Sequence, residues 1–170
     1  MVEAIRQAKS LSDEEKQRLF GWGKNIFGVE TFNLRWRPKD LHFLFYSNGE
    51  LTSHVGVLAH IVTVNGESVT VGGVGGVVTT PKAQKQGYAR RLMQHTAQFL
   101  ECEWKVAAGL LFCLPGMMAY YEALGWQRVE GSVLVEQPNG KIISPLFVMT
   151  LPLHKGEYLN GRIELCSLPW

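Results

Sequence analysis

From Leu41 onward the apolar positions fall into strand-like blocks broken by tight-turn residues: Leu41 to Tyr46, Leu51 to Val64 and Ser68 to Thr80, separated by Ser47-Asn48-Gly49 and Asn65-Gly66. Asn-Gly pairs readily adopt the left-handed backbone of hairpin turns, so these blocks predict three antiparallel strands. Ala89, Leu92, Met93, Thr96, Phe99 and Leu100 then recur every three to four residues, the spacing of one helix face. Ala107 to Leu114 is a nearly continuous apolar run and predicts a buried central strand. Met117, Met118, Tyr120, Tyr121 and Leu124 make a short amphipathic helix, with Gly125 as its stop and Trp126 opening a further strand. Val133 to Glu136 and Leu146 to Leu151 read as a terminal hairpin around Pro138-Asn139-Gly140.

Toward the N-terminus, Val2 to Ala8 reads as a first strand. Ser12 and Glu15 form a capping box that starts a helix running toward Phe27, with Gly28 as its end. Val29 to Asp40, which carries Trp36 and Pro38, follows neither period, and a short helix is one reading of it. No linker, low-complexity tract or convincing repeat interrupts the pattern, so residues 1–170 read as a single α+β domain.

The hairpins fix an expected register. With Asn65-Gly66 as a two-residue turn, Val64 faces Glu67, Gly56 lies opposite Gly75 and His54 lies opposite Val77. His54 then shares a sheet face with Gly75.

A formal charge of +2 with dispersed basic residues weighs against nucleic acid as a partner. Cys102, Cys113 and Cys166 are odd in number and lack ligand spacing, which predicts free thiols in a reducing compartment and no metal site. The first ten residues carry Glu3, Arg6 and Lys9 without an apolar core, and no segment is long and apolar enough to span a membrane. A cytoplasmic protein is the expectation.

The candidate chemistry lies in Gln84-Lys85-Gln86-Gly87-Tyr88-Ala89, between a valine- and glycine-rich strand and the periodic helix. The first turn of a helix has amides with no intrahelical acceptor and a partial positive charge, so a phosphate can dock there. Gly87 permits close backbone approach, Ala89 stays small, and Lys85, Arg90 and Arg91 add positive charge. Gly72, Gly73, Gly75 and Gly76 sit inside the preceding strand rather than in a strand-to-helix turn, so they read as a bulge or close approach and not as a dinucleotide fingerprint.

The pattern Gln84, Gly87, Ala89 resembles the acetyl-coenzyme A motif of the GNAT N-acetyltransferases, and Tyr121-Glu122-Ala123-Leu124-Gly125-Trp126 resembles that family's second signature. The element order is similar to the GNAT fold over nearly the whole chain: a mixed, mostly antiparallel central sheet flanked by helices. Within the family the chain looks most like the aminoglycoside 2′-N-acetyltransferases, through Ser53-His54, Val74 to Val78, Tyr121 to Trp126 and the final Trp170.

The resemblance implies acetyl-coenzyme A as co-substrate, bound by Val77, Val78 and Thr79 along its pantetheine arm and by Gln84, Lys85, Gln86, Gly87, Tyr88, Ala89 and Arg90 around its pyrophosphate. It implies direct attack by a primary amine on the thioester, with the Val77 amide polarising the carbonyl and Tyr121 protonating the departing thiolate. The strand glutamate of those enzymes is replaced by Gly75, and His54 is the expected substitute base. Gly75 and Trp170, the latter through a free carboxylate, are expected at the acceptor pocket. Cys113, with no paired base, is expected to be a core residue. The expected partner is a small-molecule amine, possession of a homodimer interface being left open. A contrasting reading is a sensor that binds acyl-coenzyme A without transferring the acyl group.

Overall fold

A computed structural model describes residues 1–170, which one ten-stranded sheet organises. Its strands are β1 (Glu3–Ala8), β2 (Leu41–Ser47), β3 (Glu50–Val64), β4 (Glu67–Thr79), β5 (Ala108–Cys113), β6 (Gln127–Arg128), β7 (Val133–Gln137), β8 (Gly140–Ile143), β9 (Phe147–Pro152) and β10 (Ile163–Glu164). The helices are α1 (Asp13–Phe20), α2 (Tyr88–Phe99) and α3 (Met118–Glu122). The strand order is β6-β9-β5-β4-β3-β10-β7-β8, with β2 also paired to β3 and β1 to β2. Only β4–β5 and β7–β10 are parallel.

The two faces carry different cores. Tyr88, Leu92 and Met93 of α2 pack on Phe43, Phe45, Val55, Val57 and Val74. On the opposite face Leu19 of α1 meets Leu44, Leu51 and Val78, and Trp170 joins Leu58, Val71 and Leu110. No helix is long and apolar enough to cross a membrane.

Several expectations change. The capping box at Ser12 and Glu15 is present, but α1 stops at Phe20 rather than near Phe27. Gly21 caps it by donating to the carbonyl of Gln17, and the Trp22 indole donates to Leu19, so the chain turns away. In Val29 to Asp40 the only helical piece is a 3-10 turn, Glu30–Phe32. The terminal hairpin joins β7 to β8 around Pro138 and Asn139, whereas β9 runs antiparallel to β5 in the sheet centre. β8 is exposed along its whole length, so no burial imposed an apolar period that the sequence would reveal.

The central register also departs at one place. Val64 faces Glu67 and Gly56 faces Gly75, as expected, but His54 faces Val78 rather than Val77. Two residues, Gly76 and Val77, lie opposite Val55 alone, which is a β-bulge. Gly76 takes φ +60°, a conformation that glycine enters without a Cβ penalty. The extra residue reverses which face each later side chain of β4 meets: Val78 joins the α1 side and Val77 packs under α2.

Candidate active site

β4 and β5 pair only from Val71–Val74 to Ala108–Leu111. Beyond Val74 the two strands part, while β5 remains paired to β9 as far as Cys113. The β4 edge at Gly75–Thr79 therefore has no β5 partner, and it offers backbone groups to an extended ligand in the manner of an added strand. The bulge at Gly76 and Val77 lies at the opening of this cleft.

Past the cleft, β4 runs through a 3-10 turn at Pro81–Ala83 into α2. Gly87 is the N-cap of α2 with φ +83°, and Lys85 also has a positive φ, so the loop doubles back before the helix begins. The first intrahelical bond joins the Arg91 amide to the Gly87 carbonyl. The amides of Lys85, Gln86, Gly87, Tyr88, Ala89 and Arg90 donate to no acceptor within the chain. Gln84 holds the loop on the strand by donating from Nε2 to the carbonyl of Thr79 (3.2 Å), and Gln86 donates to Lys82 (3.3 Å). Such a run of free donors at a helix N-terminus matches the oxygens of a phosphate group.

Several side chains expected near a cofactor turn inward instead. Tyr88 is buried, stacks on Phe45 and bonds Ser47 and Gln86, leaving only its amide for a ligand. Arg91 pairs with Glu3 and lies over the Phe45 ring, so it belongs to β1 and not to the anion loop. Arg90 is exposed beside the loop. Val78 is buried on the α1 side, and the Thr79 hydroxyl bonds Ser53 at 2.8 Å.

Tyr121 is buried against Tyr120 and Trp126 at the far end of β5. Burial, then Tyr120 and Cys113, push its phenol well above the usual tyrosine range, so it stays protonated at neutral pH. Burial likewise pushes the Cys113 thiol up to about 11, which leaves it unreactive as a nucleophile.

The structure does not support His54 as a base. It is buried, its Nδ1 lies 2.7 Å from the carbonyl of Gly76, and its Nε2 lies 2.8 Å from Nδ1 of His42. A carbonyl only accepts, so Nδ1 of His54 carries the hydrogen and Nε2 accepts from His42. Both nitrogens are occupied, and burial lowers the pKa to about 4. His54 holds the bulge. The same assignment leaves Nε2 of His42 unprotonated, and burial, with nearby Lys39, lowers the His42 pKa from 6.5. His60 is also committed, to Arg37 and the Leu165 carbonyl.

The side of Gly75 holds an unexpected residue. A Cβ built on Gly56 would meet Lys39 Cγ at 2.5 Å, and one on Gly75 would meet Lys39 Cε at 2.6 Å and Nζ at 3.1 Å. The lysine stem thus lies along a track cleared by two facing glycines. The Trp170 indole covers Gly73 and donates to the carbonyl of Leu110 (3.0 Å), while its main-chain carbon comes within 3.1 Å of the same Gly75 point. Trp170 therefore borders Gly75 through its backbone, with its ring in the core.

Lys39 and His42 were missed because an isolated Lys after Pro38 and a histidine in an apolar strand carry no spacing signal. The facing pair Gly56 and Gly75 was readable, and two opposed glycines inside a sheet leave room that something must fill. A cavity of about 560 Å³ adjoins this point, bounded in part by Lys39, His42, His54 and Gly76.

Residues 8–129 match the acetyltransferase (GNAT) domain family. The chain belongs to this family and is an N-acetyltransferase by descent and fold. Among solved structures it is similar to the GNAT family N-acetyltransferase YhbS from Escherichia coli in complex with CoA, at 18% identity over 96% of this chain and 89% of that one (TM-score 0.58). It is also similar to the ribosomal-protein-S18-alanine N-acetyltransferase from Escherichia coli, at 19% identity over 92% and 97% of the two chains (TM-score 0.55). N-acetylglutamate synthase from Neisseria gonorrhoeae, complexed with coenzyme A and N-acetyl-glutamate, matches at 16% identity over 91% of this chain and 36% of that one (TM-score 0.61). At these identities the likeness is one of fold. No curated protein sequence matches the chain.

Proposed function

We propose that residues 1–170 act as one domain that transfers the acetyl group of acetyl-coenzyme A to a primary amine of a small molecule. The observation that carries this reading is the run of free amides from Lys85 to Arg90 at the start of α2, beside the cleft where β4 leaves β5. In this reading the pyrophosphate lies on those amides, with Gln84 fixing the loop and Lys85 and Arg90 adding charge. The pantetheine arm follows Val77–Thr79 as an added strand.

The reaction uses a neutral amine. Its nitrogen attacks the thioester carbon, the carbonyl oxygen gains negative charge and meets the Val77 amide, and collapse breaks the C–S bond. Tyr121 gives its proton to the leaving thiolate, and Nε2 of His42 takes the proton that the amine releases. His54 positions His42 and the bulge. Gly75 and the Trp170 main chain border the acceptor space. The likeness of Ser53-His54, Val74–Val78 and Trp170 to aminoglycoside 2′-N-acetyltransferases supports including amino sugars among the acceptors, those with a single amine before polycations.

Incubation of the protein with acetyl-coenzyme A and a panel of amino sugars, amino acids and simple amines tests this, with mass spectrometry for acetylated product. Product formation that falls when Tyr121 is replaced by Phe supports the assignment. Coenzyme binding without thiol release from any amine would refute it in favour of a sensor.

A further inference from the structure

The cavity beside the bulge carries more positive charge than an acceptor site for polycations tolerates. Its walls include Lys9, Lys16, Lys39 and His42, with Phe20 and Gly76, and no aspartate or glutamate lines it. Glu15, whose charge acts on His42 and His54, is engaged by the Ser12 amide (2.8 Å) and by Arg6. Lys39 is the unusual member. Its stem is pinned over Gly56 and Gly75, and its ammonium pairs with no side-chain carboxylate, although the Trp170 main-chain carbon flanks the same Gly75 point at 3.1 Å. The segment that carries it is fixed on both sides: the Arg37 amide donates to Pro169 at 2.7 Å, and the Asp40 amide donates to Val57 at 2.9 Å. A partly buried ammonium held in place without a side-chain partner is costly unless a ligand adds counter-charge.

We propose that this cavity selects amines that also bear a carboxylate or a phosphate, and that Lys39 holds the anionic group while the amine faces the thioester. The inference rests on the transfer reading above and names its substrate class. Lys9 and Lys16, at the cavity rim, draw the anion in, and His42 stays beside the amine. Glycines at 56 and 75 are required because any side chain there would displace the lysine. Amines with several positive charges are poor acceptors in this arrangement, since like charges meet beside Lys39 and His42 with no side-chain carboxylate among the cavity walls.

Matched amine pairs provide the test: γ-aminobutyrate against butylamine, and 3-aminopropyl phosphate against propylamine, with thiol release as the readout. The expected result is kcat/KM at least tenfold higher for the anionic member, and the two pairs tell carboxylate from phosphate preference. Lys39→Met should raise KM for the anionic amine about tenfold and cut its kcat/KM advantage over butylamine by a similar factor. Lys16→Gln, at an exposed position that folding does not depend on, should raise it two- to threefold. Butyrate and inorganic phosphate should also raise the melting temperature of the native protein and fail to do so for Lys39→Met, a readout that needs no turnover. Anion binding without turnover of any amine would overturn the transfer reading and leave the anion site standing. Equal turnover within each pair, with no anion-dependent shift, would overturn the proposal and assign the lysine an internal counter-charge at the Trp170 main-chain end.

Discussion

His54 shows how one buried side chain can hold a backbone bulge in place. The Gly76 carbonyl, turned inward by the bulge, accepts from Nδ1 of His54, and Nε2 of His54 accepts from His42. Protonating His54 would set two N–H groups against each other in a buried place. Burial already holds its pKa near 4, against an ordinary 6.5. Between pH 6.5 and 4 the unfolded chain therefore binds a proton that the folded chain refuses. Its contribution is fully present above pH 6.5 and is lost as the pH falls toward 4, on the order of 3 kcal/mol. Urea unfolding across this window should show that slope, and His54→Asn should flatten it. Tyr121 stands in the opposite position, since burial raises its pKa and the phenol stays protonated at neutral pH. Tyr121→Phe should lower kcat about 10- to 100-fold with little change in KM for acetyl-coenzyme A. Unchanged kcat would remove it from the proton path. Tyr121 was legible in the sequence because its spacing to Gly125 and Trp126 covers the end of one short helix and the turn that follows it. The role of His54 was not, because a single bulge residue four positions from the end of a strand changes every partner beyond it and leaves no trace in the periodicity.

At the scale of elements, the start of α2 and the bulge in β4 solve the same problem from two sides. Each leaves main-chain groups outside the regular pairing of its element. Gly87 is central to the first, with φ +83° and open space around the Cβ that alanine would add. Gly87→Ala meets no clash, so its cost is conformational, about 1–2 kcal/mol in the left-handed region. The loop can avoid that cost by rotating its amides away from a common point. Calorimetry should show acetyl-coenzyme A binding weakened about tenfold with the melting temperature little changed. Unaltered affinity would mean that the amides of Lys85–Arg90 do not bind the pyrophosphate. The hairpin of β3 and β4, helix α2 and strand β5 were readable because burial on known faces dictates their periods. The pairing of β7 with β8 and the insertion of β10 were not: β8 is exposed throughout, and β10 contributes only Ile163 and Glu164 between β3 and β7. Long-range pairings of two residues have no local signal.

At the scale of the molecule, the chain end and the segment before β2 meet over the glycines of the central strands. Trp170 covers Gly73, is 3% exposed and donates to Leu110, so it is part of the core that holds β4 beside β5. Trp170→Ala should cost about 3–5 kcal/mol, read by denaturant unfolding. Lys39, alongside, acts in the other direction. Burial lowers its pKa from 10.5 to about 8, so at neutral pH the folded protein keeps a charge where water solvates it poorly. Between pH 8 and 10.5 the unfolded chain binds more protons than the folded one, and stability rises with pH through that interval. Lys39→Met removes the penalty and fills the same track with an apolar stem. The variant should therefore be more stable than the native protein at pH 7, on the order of 3 kcal/mol, with the advantage shrinking as the pH passes from 8 toward 10.5. Added inorganic phosphate should narrow the difference at pH 7 by stabilising only the native protein. A variant more stable than its parent yet weaker toward anionic amines would place Lys39 among the residues that the fold tolerates for the sake of its acceptor. A variant that is less stable at every pH would mean that the ammonium already has a partner in the folded chain.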